Sequence, residues 1–344
     1  MWGNMEIFVF QRENGEFHTN SSIAQFLNRE FNCTLITYRK THFLILRLAL
    51  SLKLLILNVN RLRNNYTLIF QFPPKFEEIP TILISQTLGH KPIAIVHDLD
   101  HLRNIRNLGL IFFLDRTGIK MLKKSKVIVH PGRMADYLEL MGVQISGHFE
   151  LWPHTVKENQ LLNYSSKEKH QSSKQVKIKI LYAGNLDKKK CAFLYDIDNL
   201  NRKIEIYGES QCLKSSTNIT IFESFPPDEP PLVDYETIGL IWDGDSLTEI
   251  SGIYGRYQKI NLPAKLSLYM AMGIPVVVSK DSNLAAFVEE EQIGICVSSL
   301  MDIPRMLSVE VWERYRNNCS RLRGRVTSGV DILSAVDNLI KMSE

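Results

Sequence analysis

The 344-residue sequence contains no GxGxxG turn, no GxxxxGK[ST] loop, no GxSxG elbow and no HExxH helix. Those absences remove the orthodox dinucleotide dehydrogenases, P-loop NTPases, serine hydrolases and zincins. Cysteine is sparse: five residues, at 33, 191, 212, 296 and 319, odd in number, widely spread and without a CxxC pair. Neither a disulfide framework nor a structural zinc site of ordinary spacing fits, and a reduced cytosolic protein is expected. A strong excess of one charge is missing too. With 41 Lys and Arg against 37 Asp and Glu, the net charge of +4 leans towards an anionic ligand or membrane surface. It falls far short of a dedicated nucleic-acid binder, and no nucleic-acid partner is expected. The N-terminal stretch MWGNMEIFVFQRENG has no basic region ahead of a long apolar one, so no secretory signal is expected.

Long hydrophobic runs are nearly absent as well. The exception, FLILRLALSLKLLILNVNRL at 43–62, is interrupted by Arg47 and Lys53. A charge at the centre of a spanning helix is costly, which leaves a half-buried domain helix or an interfacial helix lying on lipid.

What is present is an alternation. Strand-like runs at 7–10, 33–38, 67–72, 92–98, 126–131 and 148–152 are separated by helix-length stretches near 20–31, 43–62, 76–88, 115–124 and 132–141. A polar stretch, KENQLLNYSSKEKHQSSKQVK (157–177), then breaks the pattern and reads as a linker. The alternation resumes with strands at 178–184, 204–208, 219–225, 238–244, 275–279 and 294–298, and helices near 262–272, 283–291, 302–322 and 329–342. Near-continuous apolar strands between helices predict two doubly wound α/β domains, whose ligands lie beyond the carboxyl ends of the strands. The expected division is 1–156, a linker over 157–177, 178–328, and a final helix within 329–344.

Several strand ends carry candidate chemistry. GLIWDGDS (239–246) ends in an Asp-x-Asp pair, Asp243 and Asp245, followed by Ser246. The spacing suits a divalent cation, and equally an ordinary turn around Gly244. ILYAGNLDKKK (180–190) runs from a strand through Gly184 and Asn185 into Lys188 and its neighbours, either a phosphate-binding turn or a solvated basic loop. In INLPAKLSLYMAMGIPVVVS (260–279), Lys265 falls in the first turn of a helix, where a cation is unfavourable unless an anion sits there. The residues Asn283, Leu284, Ala285 and Ala286 open another helix whose amides could face an anion. Tyr207 and Glu209, in IYGES, sit where a base or ribose could be gripped. IVHDLDHLRN (95–104) places His97, Asp98, Asp100 and His101 at one strand end: a metal pair, a general base, an acceptor-binding group or a helix cap. The loop QRENGEFHTNSS (11–22) is either a lid or a solvated loop.

The blocks IVHDLDHLR, ILYAGNLDKKKCAFLY and the run from IGLIWDGDS to VEEEQIG together resemble the bacterial β-1,6-galactofuranosyltransferases of O-antigen and related polysaccharides. They are also similar to the glucosyltransferases that extend GlcNAc on streptococcal serine-rich adhesins. The resemblance spans about 90–300 and is most specific over 239–298. It implies a GT-B architecture: two Rossmann-like domains facing a central cleft, with a C-terminal helix crossing back to the first. It further implies a nucleotide-sugar donor on the second domain, a glycan or lipid-linked glycan acceptor facing the first, and no bound metal or other cofactor. By that resemblance Lys188 and Lys265 face the donor diphosphate. Where relatives commonly read Asn-Pro-His-Lys, this chain has Leu262-Pro263-Ala264-Lys265, so any role of that histidine is lost.

The resulting expectation is a cytoplasmic hexosyltransferase using UDP-galactofuranose. Asp98 is the first candidate for the acceptor base, then His97, then Asp100, and Gly184, Asn185, Lys188, Tyr207, Glu209, Asp243, Asp245, Ser246, Lys265 and Asn283–Ala286 are donor-binding candidates. A UDP-glucose-dependent enzyme acting on a GlcNAc-modified protein is one alternative; a non-catalytic nucleotide-sugar-binding subunit is another. Peripheral contact with the inner face of the plasma membrane and homo-oligomerisation stay open.

Overall fold

A computed structural model of the chain describes residues 6–12, 18–39, 43–59, 66–103, 117–158, 160, 175–209 and 213–342. The centre of the 11–22 loop, most of the 157–177 segment, the start of the 115–124 helix and the His101 side chain lie outside the described residues. Contacts divide the chain into two compact units, Met1–Pro153 with Gly329–Glu344, and His154–Ser328.

The first unit is built on one parallel sheet of β1 (Glu6–Arg12), β2 (Thr34–Tyr38), β3 (Tyr66–Phe72), β4 (Ile93–Val96), β5 (Lys126–Val129) and β6 (Ile145–His148), in the order β2-β1-β3-β4-β5-β6. β4 reads IAIV with every side chain buried, as a central strand covered on both faces requires. The closing helix, Val330–Lys341, packs on β5, β6 and the helix His18–Phe31. Three hydrogen bonds help fasten it. Asp331 accepts from the amides of Glu150 at 3.3 Å and Leu151 at 3.1 Å, and Lys126 donates to the Leu339 carbonyl at 3.1 Å.

The apolar run HFELW (148–152) does not form the sixth strand. That strand is Ile145–His148, an edge with alternating exposure. Phe149, Leu151 and Trp152 are buried just beyond it, Phe149 and Trp152 with ring centroids 4.3 Å apart. Burial of that run comes from ring packing at the sheet's end, not from a ladder.

The second unit adds β7 (Gln175–Lys177), β8 (Lys179–Ala183), β9 (Ile204–Tyr207), β10 (Ile219–Phe222), β11 (Thr237–Ile241), β12 (Val276–Ser279), β13 (Gly294–Val297) and β14 (Met306–Ser308). Six of these form a parallel sheet ordered β10-β9-β8-β11-β12-β13, while β7 and β14 pair antiparallel. Counted within this unit the order is 3-2-1-4-5-6, that of a doubly wound nucleotide-binding sheet. The helix expected at 302–322 is instead Val309–Ser328. Pro304 cannot sit inside a helix, and the residues after it pair as β14.

The helix Ala264–Met272 starts and stops as the sequence dictates. Pro263 is extended at its N-cap; Gly273 at φ 66° ends it, with amide bonds Gly273 to Met270 (2.9 Å) and Ile274 to Tyr269 (3.0 Å). Its first turn carries Lys265 and its second Tyr269.

Candidate active site

In the 3-2-1-4-5-6 order, β8 and β11 are neighbours whose onward connections leave in opposite directions. The loops after them part, and a crevice opens beyond their carboxyl ends. One tyrosine finishes the two strands there. The Ala183 amide donates to the Tyr269 hydroxyl at 3.1 Å, and that hydroxyl lies 3.3 Å from the Leu240 carbonyl and 3.4 Å from that of Leu181. The ring reaches this point by crossing Gly239, where an added Cβ would lie 2.5 Å from the ring.

Against this strand-end bridge sits a charge cluster. Lys265 Nζ donates to Asp243 Oδ1 at 3.0 Å and stands 4.0 Å from the centroid of the Tyr182 ring. Lys190 Nζ approaches the other carboxylate oxygen at 3.7 Å. The Lys265 and Asp243 side chains are each only 11% exposed. Burial pulls the Lys265 ammonium below the ordinary lysine range; Lys190 adds to the effect, and Asp243 opposes it. Two ammonium groups share one carboxylate, so the cluster holds an excess of positive charge at the mouth of the crevice.

Asp243 is placed from its backbone. Its amide donates to the buried Gln258 side chain at 2.6 Å, and Gln258 in turn donates to the Ile241 carbonyl at 2.9 Å. Gly244, at φ 119°, donates to the Lys190 carbonyl at 2.7 Å, which ties the β11 loop to the β8 loop. An added Cβ at Gly244 would stand 2.3 Å from the Ser251 carbonyl oxygen. Asp245 is exposed and turned onto Gly252, whose Cβ would meet Oδ2 at 2.1 Å. Ser246 closes the loop through Thr248 (2.8 Å between hydroxyls) and accepts the Trp242 indole on its carbonyl at 2.9 Å. Trp242 is fully buried packing.

The lysine run after β8 divides by its turn of helix. Asp187 caps the segment Lys188–Cys191 by accepting from the Lys189 amide at 2.9 Å. Lys190 then faces Asp243, whereas Lys188 is exposed with its ammonium 4.9 Å from the Tyr195 ring centroid. Gly184 (φ 147°) donates to the Tyr207 carbonyl at 3.1 Å, and Gly208 (φ 154°) has no room for a Cβ, which would lie 2.4 Å from the Gly184 oxygen. Asn185 accepts from the Asp187 amide at 2.7 Å. Tyr207 stacks on Phe222 with centroids 4.7 Å apart, and burial chiefly pushes its hydroxyl up to about 12. Glu209 is exposed and accepts from Ser224 at 3.2 Å.

The amides of Asn283, Leu284 and Ala285 already have acceptors: the Gln258 carbonyl at 3.4 Å, Ser282 Oγ at 3.1 Å and the Ser282 carbonyl at 3.2 Å. They close the loop leading into the short helix Ala285–Glu291, whose second residue is Ala286.

In the first unit the polar end of β4 separates its candidates. His97 is stacked on Trp152, centroids 4.4 Å apart and planes 5° apart, and burial drives its pKa down to about 4. Its Nε2 is buried without a hydrogen-bond partner. Asp98 is about a third exposed and paired with Arg103 at 2.6 Å. Asp100 begins the short helix Asp100–Arg103 and is exposed. Lys190, Gln258, Tyr182 and Tyr269 were not singled out from the sequence. The three-lysine run hints at Lys190, but only the helical register decides which lysine turns inward.

Solved structures share this architecture over nearly the whole chain. Sucrose-phosphate synthase from Thermosynechococcus elongatus aligns with a TM-score of 0.61 at 10% identity, covering 98% of this chain and 99% of that one. The lipopolysaccharide outer core galactosyltransferase WaaB, in its apo form, aligns at 0.55 and 9% identity, covering 99% and 100%. Two parallel-sheet α/β units of this kind define the GT-B fold, and the chain has that fold. Residues 180–339 match the family described as glucosyltransferase 3-like, C-terminal domain. The β-1,6-galactofuranosyltransferase WbbI of Escherichia coli (strain K12) is 26% identical over 288 residues, 81% of this chain and 80% of that protein. The chain is similar to both, and it is a glycosyltransferase.

Proposed function

We propose that the chain transfers galactofuranose from UDP-galactofuranose to a glycan or lipid-linked glycan acceptor, in bacterial polysaccharide synthesis of the O-antigen type. The observation that carries the reading is the Lys265–Asp243–Lys190 cluster at the switch point of the second sheet. A departing UDP develops charge on its β-phosphate, and fixed cations in a water-poor site stabilise that charge without reorganising. Lys265 and Lys190 supply it, with Asp243 as the internal counter-ion that the diphosphate displaces from them. Lys188 stands on the solvent side of the same loop, beside Gly184 and Asn185.

Tyr207 and Glu209 serve the nucleoside side, and Asp245 and Ser246 keep the β11 loop in shape. The chemistry assigned to the lysines needs no bound metal. Asp98 is the base we assign for an inverting reaction; Asp100 is the substitute. His97, stacked and neutral above about pH 4, serves to pack the strand end. The place of work that fits a lipid-linked acceptor is the cytoplasmic side of the plasma membrane. A second reading, glucosyl transfer from UDP-glucose to a GlcNAc-bearing protein, is favoured by the glucosyltransferase 3-like match.

The test is UDP release from a panel of UDP-galactofuranose, UDP-galactopyranose and UDP-glucose, with and without EDTA. Preferred turnover of UDP-galactofuranose in EDTA supports the proposal. Preferred turnover of UDP-glucose favours the second reading, and activity abolished by EDTA and restored by Mn²⁺ refutes the metal-free mechanism.

A further inference from the structure

The helix Leu44–Val59 has two unlike faces. Its inner face is fastened within the first unit. Arg47 donates to Glu77 through Nε (2.6 Å) and Nη2 (3.2 Å), Ser51 donates to the Glu77 carbonyl at 3.3 Å, and Leu54 is buried. The outer face is apolar and open: Ile45, Leu48, Leu52, Ile56 and Leu57 are between 51% and 80% exposed, as is Phe43 just before the helix. Single exposed leucines are ordinary, but a contiguous stripe of this kind marks an interaction surface.

Charge decides what the surface meets. From Phe31 to Phe76 the sequence has no aspartate or glutamate, and it carries Arg39, Lys40, Arg47, Lys53, Arg61, Arg63 and Lys75. Lys53 is exposed on the helix beside Leu52. A second copy of the chain docked by this face would bring two such carboxylate-free segments together, each with an exposed Lys53, which disfavours self-association through it. An anionic lipid surface offers both an apolar boundary for the leucines and negative headgroups for the cations. As described, the 16-residue helix reaches about 24 Å, short of the roughly 30 Å hydrocarbon core. Among the described residues no helix is long and apolar enough to cross a membrane.

We propose that the helix Leu44–Val59 docks the protein on an anionic lipid surface, lying in the interface with its outer leucines and isoleucines among the acyl chains. The inference deepens the lipid-linked acceptor reading under Proposed function. It would bring the first unit to the plane where such an acceptor is held, yet the docking itself needs no turnover.

The experiment is co-sedimentation of the full chain with vesicles of phosphatidylcholine alone and of phosphatidylcholine mixed with phosphatidylglycerol. Binding is expected to be about tenfold stronger on the anionic vesicles and to weaken as salt is raised. The paired change Leu52→Asn with Ile56→Asn, and separately Lys53→Glu, should each return binding towards the phosphatidylcholine level. These side chains are exposed, so circular dichroism should be unchanged. Absence of vesicle binding, equal binding to both compositions, or indifference to the variants would overturn the proposal. So would sedimentation velocity showing a dimer that the same variants dissociate. UDP binding measured on the same samples reports on the donor site separately, so failure of one reading is distinguishable from failure of the other.

Discussion

Lys265 donates to Asp243 across 3.0 Å with both side chains nearly sealed from solvent. A buried ion pair of this sort is weak evidence for stability, because desolvation offsets much of the attraction. A second lysine on the same carboxylate makes it poorer still as a stabilising device and better as an anion trap. The pair is accounted for if the counter-ion is meant to be outcompeted.

The two lysines of the β8 loop should therefore separate. Lys190→Ala is expected to weaken UDP binding about tenfold or more, the worth of a charge-assisted hydrogen bond. Lys188→Ala, which removes an ammonium resting on Tyr195, should change it less than threefold, roughly the worth of an exposed charge. Isothermal titration with UDP checks both. A larger loss from Lys188→Ala would return the phosphate role to that residue.

Asp243→Asn tests the counter-ion idea in the opposite direction. Removing the carboxylate should tighten UDP binding several-fold, since the anion no longer competes for Lys265 and Lys190. Turnover of the sugar nucleotide should fall if the carboxylate also meets the donor sugar. Weaker UDP binding in this variant would show that Asp243 positions the lysines more than it opposes the ligand.

The strand-end bridge gives a stability prediction. Tyr269→Phe leaves the buried Ala183 amide without its acceptor, at a cost of about 1–3 kcal/mol. Gly239→Ala drives a methyl to 2.5 Å from the same ring and should cost at least as much by overpacking. Urea denaturation measures both, and a neutral Gly239→Ala would mean that the ring has room to move.

The double-wound pattern was legible because buried strands such as IAIV and VVVS are apolar throughout and bounded by turn residues. Lys265 was legible because a first-turn lysine opposes its own helix dipole. Lys190 was not legible: adjacent lysines are chemically identical, and only the cap set by Asp187 turns one of them inward. Gln258 and Tyr269 were hidden for a related reason. Their partners are backbone groups of strands that are distant in sequence, and no spacing rule reports such contacts. HFELW misled because ring packing beyond a strand end looks, in one dimension, like another strand.

Stability of the first unit is expected to fall in acid on account of His97 and His130. Burial lowers both to about 4, against 6.5 for the free side chain. Above about pH 6.5 both states carry neutral imidazoles, and the full stability is present. As pH falls towards 4 the unfolded chain takes up protons that the native state refuses. Stability then drops by about 1.4 kcal/mol per pH unit for each histidine. The difference in unfolding free energy between pH 7 and pH 5 should shrink by about 2 kcal/mol in His130→Asn. An undiminished pH dependence in that variant would place the acid sensitivity elsewhere.

On the proposed function, the lysine cluster at the β8–β11 switch point, rather than a metal, holds the donor diphosphate. It is tested most directly by calorimetric titration of UDP in EDTA into the wild-type chain and into Lys265→Ala. Binding to the wild type is expected without added metal, with a loss of at least about tenfold in the variant. UDP binding that appears only with Mn²⁺, or that survives Lys265→Ala undiminished, would contradict it.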